Sequence, residues 1–263
     1  MNYSLASYRS IIKQALASGY TFRSFVDEER ELSRRIYLRH DIDYSPSMAL
    51  ELARVNADLG VAGTFFALLH SHSYNLMCAS AQRIVKEIHS LGQHIGLHAA
   101  VPTTTDAEVE GKLRNDFQFV QSYLPMIQPV FSWHNPTAEV LERYLTSDIF
   151  AGLINAYGAR FTRNILYASD SNMRYSADHF LILFNDATCE ALQLLLHPIN
   201  WVAGGSNMSE VFAGGWPYLI RETEQEMRGN LCYQTMFPSG LPYKLLQSFA
   251  DQWWRLAREN ERR

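Results

Sequence analysis

Short apolar strands alternate with amphipathic helices along roughly the first 200 residues, and this alternation restricts the fold more than any other feature. Strands are predicted at 35–43, 64–69, 94–98, 129–133, 153–155, 165–168 and 192–196. Because strands connected by helices pair in parallel, the sequence predicts an α/β fold with a parallel sheet. At 263 residues, we expect this sheet to form a distorted (β/α) TIM-like barrel of seven or eight strands.

No linker, repeat or low-complexity segment interrupts the pattern, so residues 1–263 are predicted to form a single domain. Residues from about 1 to 25 carry apolar side chains at helical spacing, and we expect an N-terminal helix there, closed by Gly19. Residues from about 209 to 263 are predicted to form a helical C-terminal extension, with a last amphipathic helix at 243–262.

Composition and charge exclude several classes of protein. The formal net charge is −4, which disfavours a nucleic-acid-binding protein that relies on a basic surface. The three cysteines lie far apart without metal-site spacing, so we expect buried or incidental thiols in a reducing compartment. No signal peptide is recognisable, and no apolar run reaches the roughly 18 residues of a membrane span. We therefore expect a soluble cytoplasmic protein with neither a nucleic-acid partner nor a membrane span.

Polar side chains stand at the ends of the predicted strands. His, Asp or Asn residues occur in the segments 40–43, 94–98, 133–136, 169–172 and 197–198. In α/β barrels the active site is assembled from the carboxyl ends of several strands. Five segments that bring titratable groups to the same edge therefore predict a candidate active site.

The first of these segments carries two aspartates, Asp41 and Asp43, whose side chains point to the same face of an extended strand. Neighbouring carboxylates repel each other and shift each other's pKa unless a cation lies close by. One interpretation is that one aspartate binds a metal ion and the other acts as a base. The alternative is a strand end with solvated or ion-paired aspartates, for instance paired to Arg39.

Three histidines also fall at strand ends. His94 and His98 are four residues apart on a predicted strand, or roughly 13 Å, so they cannot bind the same ion. His98, at the end of the strand, is the better ligand. His134 and His197 each follow a buried run and stand just before a proline. Together with the two aspartates, they favour a functional site over a set of structural caps.

These residues resemble the motifs of a known family. The segment 38–43 reads Leu-Arg-His-Asp-Ile-Asp, and the segment 92–98 reads Gly-Gln-His-Ile-Gly-Leu-His. Together with strand 64–66 they resemble the polysaccharide deacetylase family (carbohydrate esterase family 4, with NodB homology). The similarity is to the branch whose first motif is His-Asp-hydrophobic-Asp, and it extends from about 35 to 201. It implies a distorted (β/α) barrel of the glycoside hydrolase/deacetylase type that removes acetyl groups from sugars with one divalent metal ion, which we expect to be zinc.

The resemblance also implies roles for individual residues. Asp41 matches the general base, Asp43 the metal-binding aspartate, and His98 the first histidine of the metal site. His197 matches the catalytic acid, and Asp170 matches the aspartate that supports it.

One position departs from the family pattern. The second metal histidine would fall at residue 102, which is Pro102. Since a catalytic zinc keeps three protein ligands, we expect His134 to supply the third, with His94 as the alternative. His134 itself stands where the family usually has an arginine that orients the base. If neither histidine binds the metal, the chain would be a degenerate member.

The predicted function is hydrolysis of an amide bond in an acetylated saccharide or glycan precursor, in surface polysaccharide biosynthesis. In this scheme Asp41 takes a proton from water and His197 protonates the leaving amine. Trp201 and Asn135 are predicted to contact the substrate, since flat aromatic faces suit sugar rings. The alternatives are a hydrolase of a non-sugar linear or cyclic amide, and a catalytically degenerate sugar-binding protein. The oligomeric state is left open.

Overall fold

The computed structural model describes residues 2–27, 34–100, 106–144, 146–184 and 189–240, with the backbone alone for 106 and 107. Pro102 and the last predicted helix, at 243–262, lie outside the described residues. The chain divides into two compact units, 1–214 and 215–263. The first unit contains the whole sheet, and the described part of the second is mainly helical. The single-domain organisation stays a prediction.

Strands and helices alternate in the predicted order. The strands β1 to β9 are Thr21–Phe22, Arg35–Ile42, Thr64–Leu68, His94–Ala100, Ile127–His134, Ile149–Phe150, Leu153–Asn155, Leu166–Ser169 and Ala191–Leu195. The helices α1 to α10 are Leu5–Ala17, Pro46–Asp58, Ala79–Ser90, Asp106–Tyr123, Ala138–Tyr144, Ala159–Thr162, Ala177–Ile182, Pro198–Ala203, Met208–Met227 and Leu231–Met236. A 3₁₀ turn covers Ser171–Met173. Each predicted strand is present with ends that differ by at most two residues, because apolar strand cores are a local signal.

The sheet has the order β6-β7-β5-β4-β3-β2-β9-β8, with β1 added beside β2. Its pairs are parallel except for β6 and β7, which are antiparallel. Among the described residues, β8 and β6 form the two ends of this order and do not pair with each other. The predicted α/β fold is confirmed, and its eight main strands form a curled half-barrel.

The two faces of β2 show how the sheet separates two cores. Ile36 and Leu38 belong to the large outer core, which also contains the buried faces of the surrounding helices. Tyr37, between them, belongs to a small inner core. That inner core also contains Phe66 of β3 and Val130 of β5. Side chains from these separate strands can meet only because the sheet curls around them.

The first helix is shorter than predicted. Ser4 caps α1 by accepting a hydrogen bond from the backbone N–H of Ser7 at 3.1 Å. The helix ends at Ala17 because Gly19 adopts a φ of 81°, which is left-handed backbone that glycine allows. The chain then turns into β1, which pairs with β2, so the helical prediction up to about residue 25 is wrong beyond residue 17.

None of the described helices is sufficiently long and apolar to cross a bilayer. Since parallel strands end at the same edge of a sheet, the residues after β2, β4, β5 and β9 are brought close to one another there.

Candidate active site

A cavity of about 690 Å³ opens at the carboxyl edge of the sheet. Its walls include five of the predicted site residues that carry titratable side chains: Asp41, Asp43, His98, His134 and His197. Asn135, predicted to contact the substrate, also lines the cavity and is exposed there with a φ of 47°.

Three of these residues form a compact triad. The Oδ1 atom of Asp43 lies 3.1 Å from Nε2 of His98 and 3.3 Å from Nδ1 of His134. The two histidine nitrogens are 3.1 Å apart. Asp43 directly follows β2, whereas His98 lies in β4 and His134 ends β5. The three donor atoms therefore form an almost equilateral triangle across the sheet.

The dimensions of the triad fit a divalent cation. Tetrahedral zinc with ligand bonds of about 2.0–2.1 Å separates its ligand atoms by roughly 3.3 Å, close to the edges of this triangle. The ring of His98 is oriented by Ser132, whose Oγ lies 2.7 Å and whose carbonyl oxygen lies 3.2 Å from Nδ1. With a cation bound in the triad, Nδ1–H would donate to that carbonyl and the lone pair of Nε2 would be directed at the cation. Acceptors this close repel one another unless protons or a cation lie among them.

Electrostatics favour a charged Asp43. Burial alone would raise the pKa of its carboxyl group, but hydrogen bonds from His134 and His98 hold that pKa well below its usual value. The same contact raises the pKa of His134, against the opposing effect of burial. A carboxylate that attracts positive charge this strongly is what a cation ligand requires.

Asp41 forms a buried ion pair with Arg39. The Nε atom of Arg39 lies 2.9 Å from Oδ1 of Asp41, and Nη2 lies 2.6 Å from Oδ2. The guanidinium group packs over the ring of Tyr157 at 4.2 Å. Burial is the largest single influence and raises the pKa of Asp41, but the charge and hydrogen bonds of Arg39, together with His98 and His197, outweigh it, so the pKa is lowered. The ion pair with Arg39 is therefore observed, and Asp41 nevertheless lines the cavity.

Arg39 also explains how His134 can belong to the triad. The resemblance expects an arginine at the position of His134 to orient Asp41, but here Arg39 makes that contact from two residues earlier on the same strand. Side chains two apart on a strand share a face, so the pair could have been found from the sequence. Asp41 in turn has its Oδ2 atom 3.7 Å from Nε2 of His98, beside the triad.

His197 and Asp170 form a second buried pair. The Nδ1 atom of His197 lies 2.5 Å from Oδ1 of Asp170, and its backbone N–H donates to the same carboxylate at 2.9 Å. Burial would lower the pKa of His197, but the charge and the hydrogen bond of Asp170 raise it to about 9. Its Nε2 atom is 3.9 Å from Oδ2 of Asp43. A protonated imidazole is thus held with its free nitrogen near the triad.

The prediction that Trp201 contacts the substrate is wrong. Trp201 is fully buried and is not among the residues that line the cavity. It packs against Tyr3, with ring centroids 4.5 Å apart, and its indole N–H donates to Oδ2 of Asp170 at 2.8 Å. Because α8 begins at Pro198, its first turn directs Trp201 beneath Asp170 instead of into the cleft.

His94 does not serve as the alternative third ligand. It lies at the amino end of β4, where its Nδ1 atom is 3.0 Å from the side-chain amide nitrogen of Gln128. That end of the strand is opposite to the edge at which His98 meets Asp43.

Several cavity residues had no role in the sequence analysis. Tyr157, Tyr167, Arg174, Tyr175 and His179 all line the cavity. His179 stacks on Tyr175, with ring centroids 4.1 Å apart and planes at 11°. The alternation of side chains along β8 could have predicted that Tyr167 faces the cavity. The positions of Arg174, Tyr175 and His179 depend on the loop after β8, which has no clear sequence pattern.

Comparisons with known proteins add relatives at low similarity. No family model and no curated protein matches the chain. A peptidoglycan deacetylase from Bdellovibrio bacteriovorus aligns at 20% identity and a TM-score of 0.41, covering 78% of this chain and 52% of that one. A putative polysaccharide deacetylase involved in O-antigen biosynthesis, from Bordetella bronchiseptica, aligns at 14% identity and a TM-score of 0.40. The alignment covers 90% of this chain and 99% of that one. A CE4 family pseudoenzyme from Bacillus anthracis aligns at 10% identity and a TM-score of 0.41, covering 74% of this chain and 62% of that one.

The chain is similar to polysaccharide deacetylases. It spans about half the length of the Bdellovibrio protein. Since all three TM-scores lie below 0.5 and one relative is a pseudoenzyme, we infer activity from the side chains of this site alone.

Proposed function

We propose that this chain is a metal-dependent hydrolase that removes an acetyl group from an acetylated saccharide or glycan precursor. The observation that carries the proposal is the triad together with the two oriented ion pairs close to it. Asp43, His98 and His134 have donor atoms within 4.8 Å of one another. The carboxylate of Asp41 lies 3.7 Å from Nε2 of His98, and Nε2 of His197 lies 3.9 Å from Oδ2 of Asp43.

The triad would hold one divalent cation. One carboxylate and two imidazoles form a ligand set that suits zinc, with room for water or substrate to complete it. When bound, such a cation lowers the pKa of water and polarises a carbonyl group.

Asp41 is the proposed general base. Arg39 holds both of its oxygens, so the carboxylate stays ionised at neutral pH and keeps one orientation. With its Oδ2 atom 3.7 Å from Nε2 of His98, it can accept a proton from water at the triad. A carboxylate with a low pKa is a weak base, so this role requires water that is more acidic than bulk water.

His197 is the proposed general acid. An amide nitrogen leaves only after it has gained a proton, and a histidine with a pKa of about 9 carries that proton at neutral pH. Asp170 fixes Nδ1, so Nε2 is the atom that delivers the proton. Trp201 and the backbone N–H of His197 bind the second oxygen of Asp170 and keep this carboxylate in place.

The cavity is suited to a sugar. Its volume of about 690 Å³ exceeds that of a small acyl group and falls within the range of clefts that bind drug-sized ligands. Tyr157, Tyr167 and Tyr175 offer aromatic surface in its walls, and Asn135 offers an amide. A sugar can stack its ring on the aromatic surface and form hydrogen bonds to the amide through its hydroxyl groups.

The proposal is tested with zinc-loaded protein and a panel of N-acetylated and O-acetylated sugars. We expect about one metal ion per chain and release of acetate, which His197→Ala abolishes. His72→Ala, which changes an exposed histidine outside the cavity, is the matched control and should leave turnover unchanged. If the protein binds metal but releases no acetate, the deacetylase proposal is wrong and hydrolysis of a different amide is favoured. Neither metal nor acetate would indicate a degenerate protein.

A further inference from the structure

The loop that follows β8 forms a wall of the cavity that the proposed mechanism does not use. Ser171, Asn172, Arg174 and Tyr175 of this loop line the cavity, together with Ser169 at the end of β8. Each of these side chains can donate a hydrogen bond, and the guanidinium group of Arg174 carries a permanent positive charge.

The charge of Arg174 is not neutralised. Within the described part of the chain, this exposed arginine has no ion pair or hydrogen bond, whereas the other strongly charged side chains of the cavity do. Asp41 is bound by Arg39, and Asp43 is bound by histidines. No carboxylate that lines the cavity is therefore free to pair with Arg174.

The backbone fixes the position of this wall. Asn172 and Met173 both have positive φ values, 57° and 48°, a left-handed conformation that residues other than glycine adopt uncommonly. The turn is held at one end by the Met173 N–H, which donates to the carbonyl of Asp170 at 2.9 Å. At the other end, the hydroxyl of Tyr3 donates to the carbonyl of Tyr175 at 2.8 Å. Arg174 is thus presented from an anchored turn.

The neighbouring groups suit an oxyanion. The hydroxyl groups of Ser169 and Ser171 lie 2.6 Å apart, and the side chain of Asn172, the next residue in the chain, is exposed. Asp170, which also belongs to this loop, is fully buried beneath His197 and adds no free negative charge to the wall. A guanidinium group binds phosphate or carboxylate through two parallel hydrogen bonds. Because the whole chain has a net charge of −4, an anionic ligand needs such a local positive site.

We propose that the substrate carries an anionic group, a phosphate or a carboxylate, and that Arg174 binds this group. The inference rests on the proposed deacetylase function and narrows its substrate class to charged acetylated saccharides. Arg174 is then a residue that determines specificity and takes no part in the chemical step.

Calorimetric titration tests the proposal without requiring turnover. The ligands are neutral N-acetylglucosamine, its 1-phosphate and N-acetylmuramic acid, titrated into the zinc-loaded His197→Ala protein so that hydrolysis does not interfere. We expect at least one anionic sugar to bind about ten- to hundredfold more tightly than the neutral sugar, as for a charge-assisted hydrogen-bonded pair. Preference for the 1-phosphate would identify a phosphate ester, and preference for N-acetylmuramic acid would identify a carboxylate.

Adding Arg174→Gln should remove this preference, whereas Arg174→Lys should keep part of it. Arg163→Gln is the matched control, because Arg163 is also exposed but does not line the cavity. Equal binding of neutral and anionic sugars, or a preference that survives Arg174→Gln, would overturn the inference. Acetate release by the otherwise unchanged protein is measured in parallel. Selective binding without acetate refutes only the proposed function, and acetate release without selective binding refutes only the role of Arg174.

Discussion

Acidification should destabilise the fold through His40, which separates Arg39 from Asp41 in the sequence but points to the opposite face of β2. The His40 ring is fully buried, and its Nδ1–H donates to the carbonyl of Leu196 at 2.8 Å. On the other side, Nε2 lies 3.1 Å from the hydroxyl of Tyr8. Burial lowers the pKa of His40 to about 4, against an unperturbed value of 6.5.

The size and sign of the effect follow from this difference. Between pH 6.5 and pH 4 the unfolded chain binds a proton at His40 that the folded chain does not bind, so acid favours unfolding. The shift of about 2.5 pKa units corresponds to roughly 3 kcal/mol at 1.36 kcal/mol per unit. This contribution is complete above about pH 6.5 and is lost as the pH falls to about 4. It is a large share of the 5–15 kcal/mol typical of a whole domain.

Urea unfolding at several pH values between 7 and 4 measures the effect. The variant His40→Asn keeps an amide that can donate to Leu196 but has no group that titrates in this range. The wild-type free energy of unfolding should therefore fall by about 3 kcal/mol more than that of the variant over the same interval. Other groups whose pKa is lowered, such as the half-buried His94, are present in both proteins and cancel in the difference. Parallel pH profiles for the two proteins would refute the reasoning.

Three further outcomes are expected from the site. Arg39→Met should lower the free energy of unfolding in urea by roughly 3–5 kcal/mol, because it leaves the charge of Asp41 buried and unpaired. The double variant Arg39→Met/Asp41→Asn should regain most of that stability but release no acetate, and a double variant as unstable as the single one would contradict the pairing. His134→Ala should weaken zinc binding at least about tenfold in competition with a chelating dye, and His94→Ala should not; equal losses would remove His134 from the ligand set. Trp201→Phe should lower kcat with KM unchanged, whereas a raised KM would mean that Trp201 does contact the substrate.

The part of the site that follows from strand ends could be predicted from sequence. Asp43, His98 and His134 each stand at the end of an apolar run, and parallel strands bring such ends together. The face presented by Trp201 could not be predicted, because a helix of six residues has too little sequence to show which side is buried. The position of Arg174 depends on the left-handed turn before it, which no glycine marks in the sequence.

The triad also depends on an irregularity that lies deeper in the sheet. Ile95 is opposite Ile127, but Leu97 is opposite Phe131, so β5 contains two more residues than β4 over this stretch. Without this shift His98 would face Val130 instead of Ser132 and would lose the partner that orients its ring.

Gly96 stands at this irregularity because no side chain fits there. A Cβ atom on it would lie 2.7 Å from the ring of Phe66 and 3.1 Å from Val130. The same shift sets His134 opposite Ala100, two positions beyond His98 along β4. Since a residue in a strand spans about 3.3 Å, a regular pairing would place His134 roughly 7 Å further along the sheet, beyond contact with Asp43. The geometry of the proposed metal site is therefore set by packing around Gly96 in the inner core, and not only by the residues that would bind the ion.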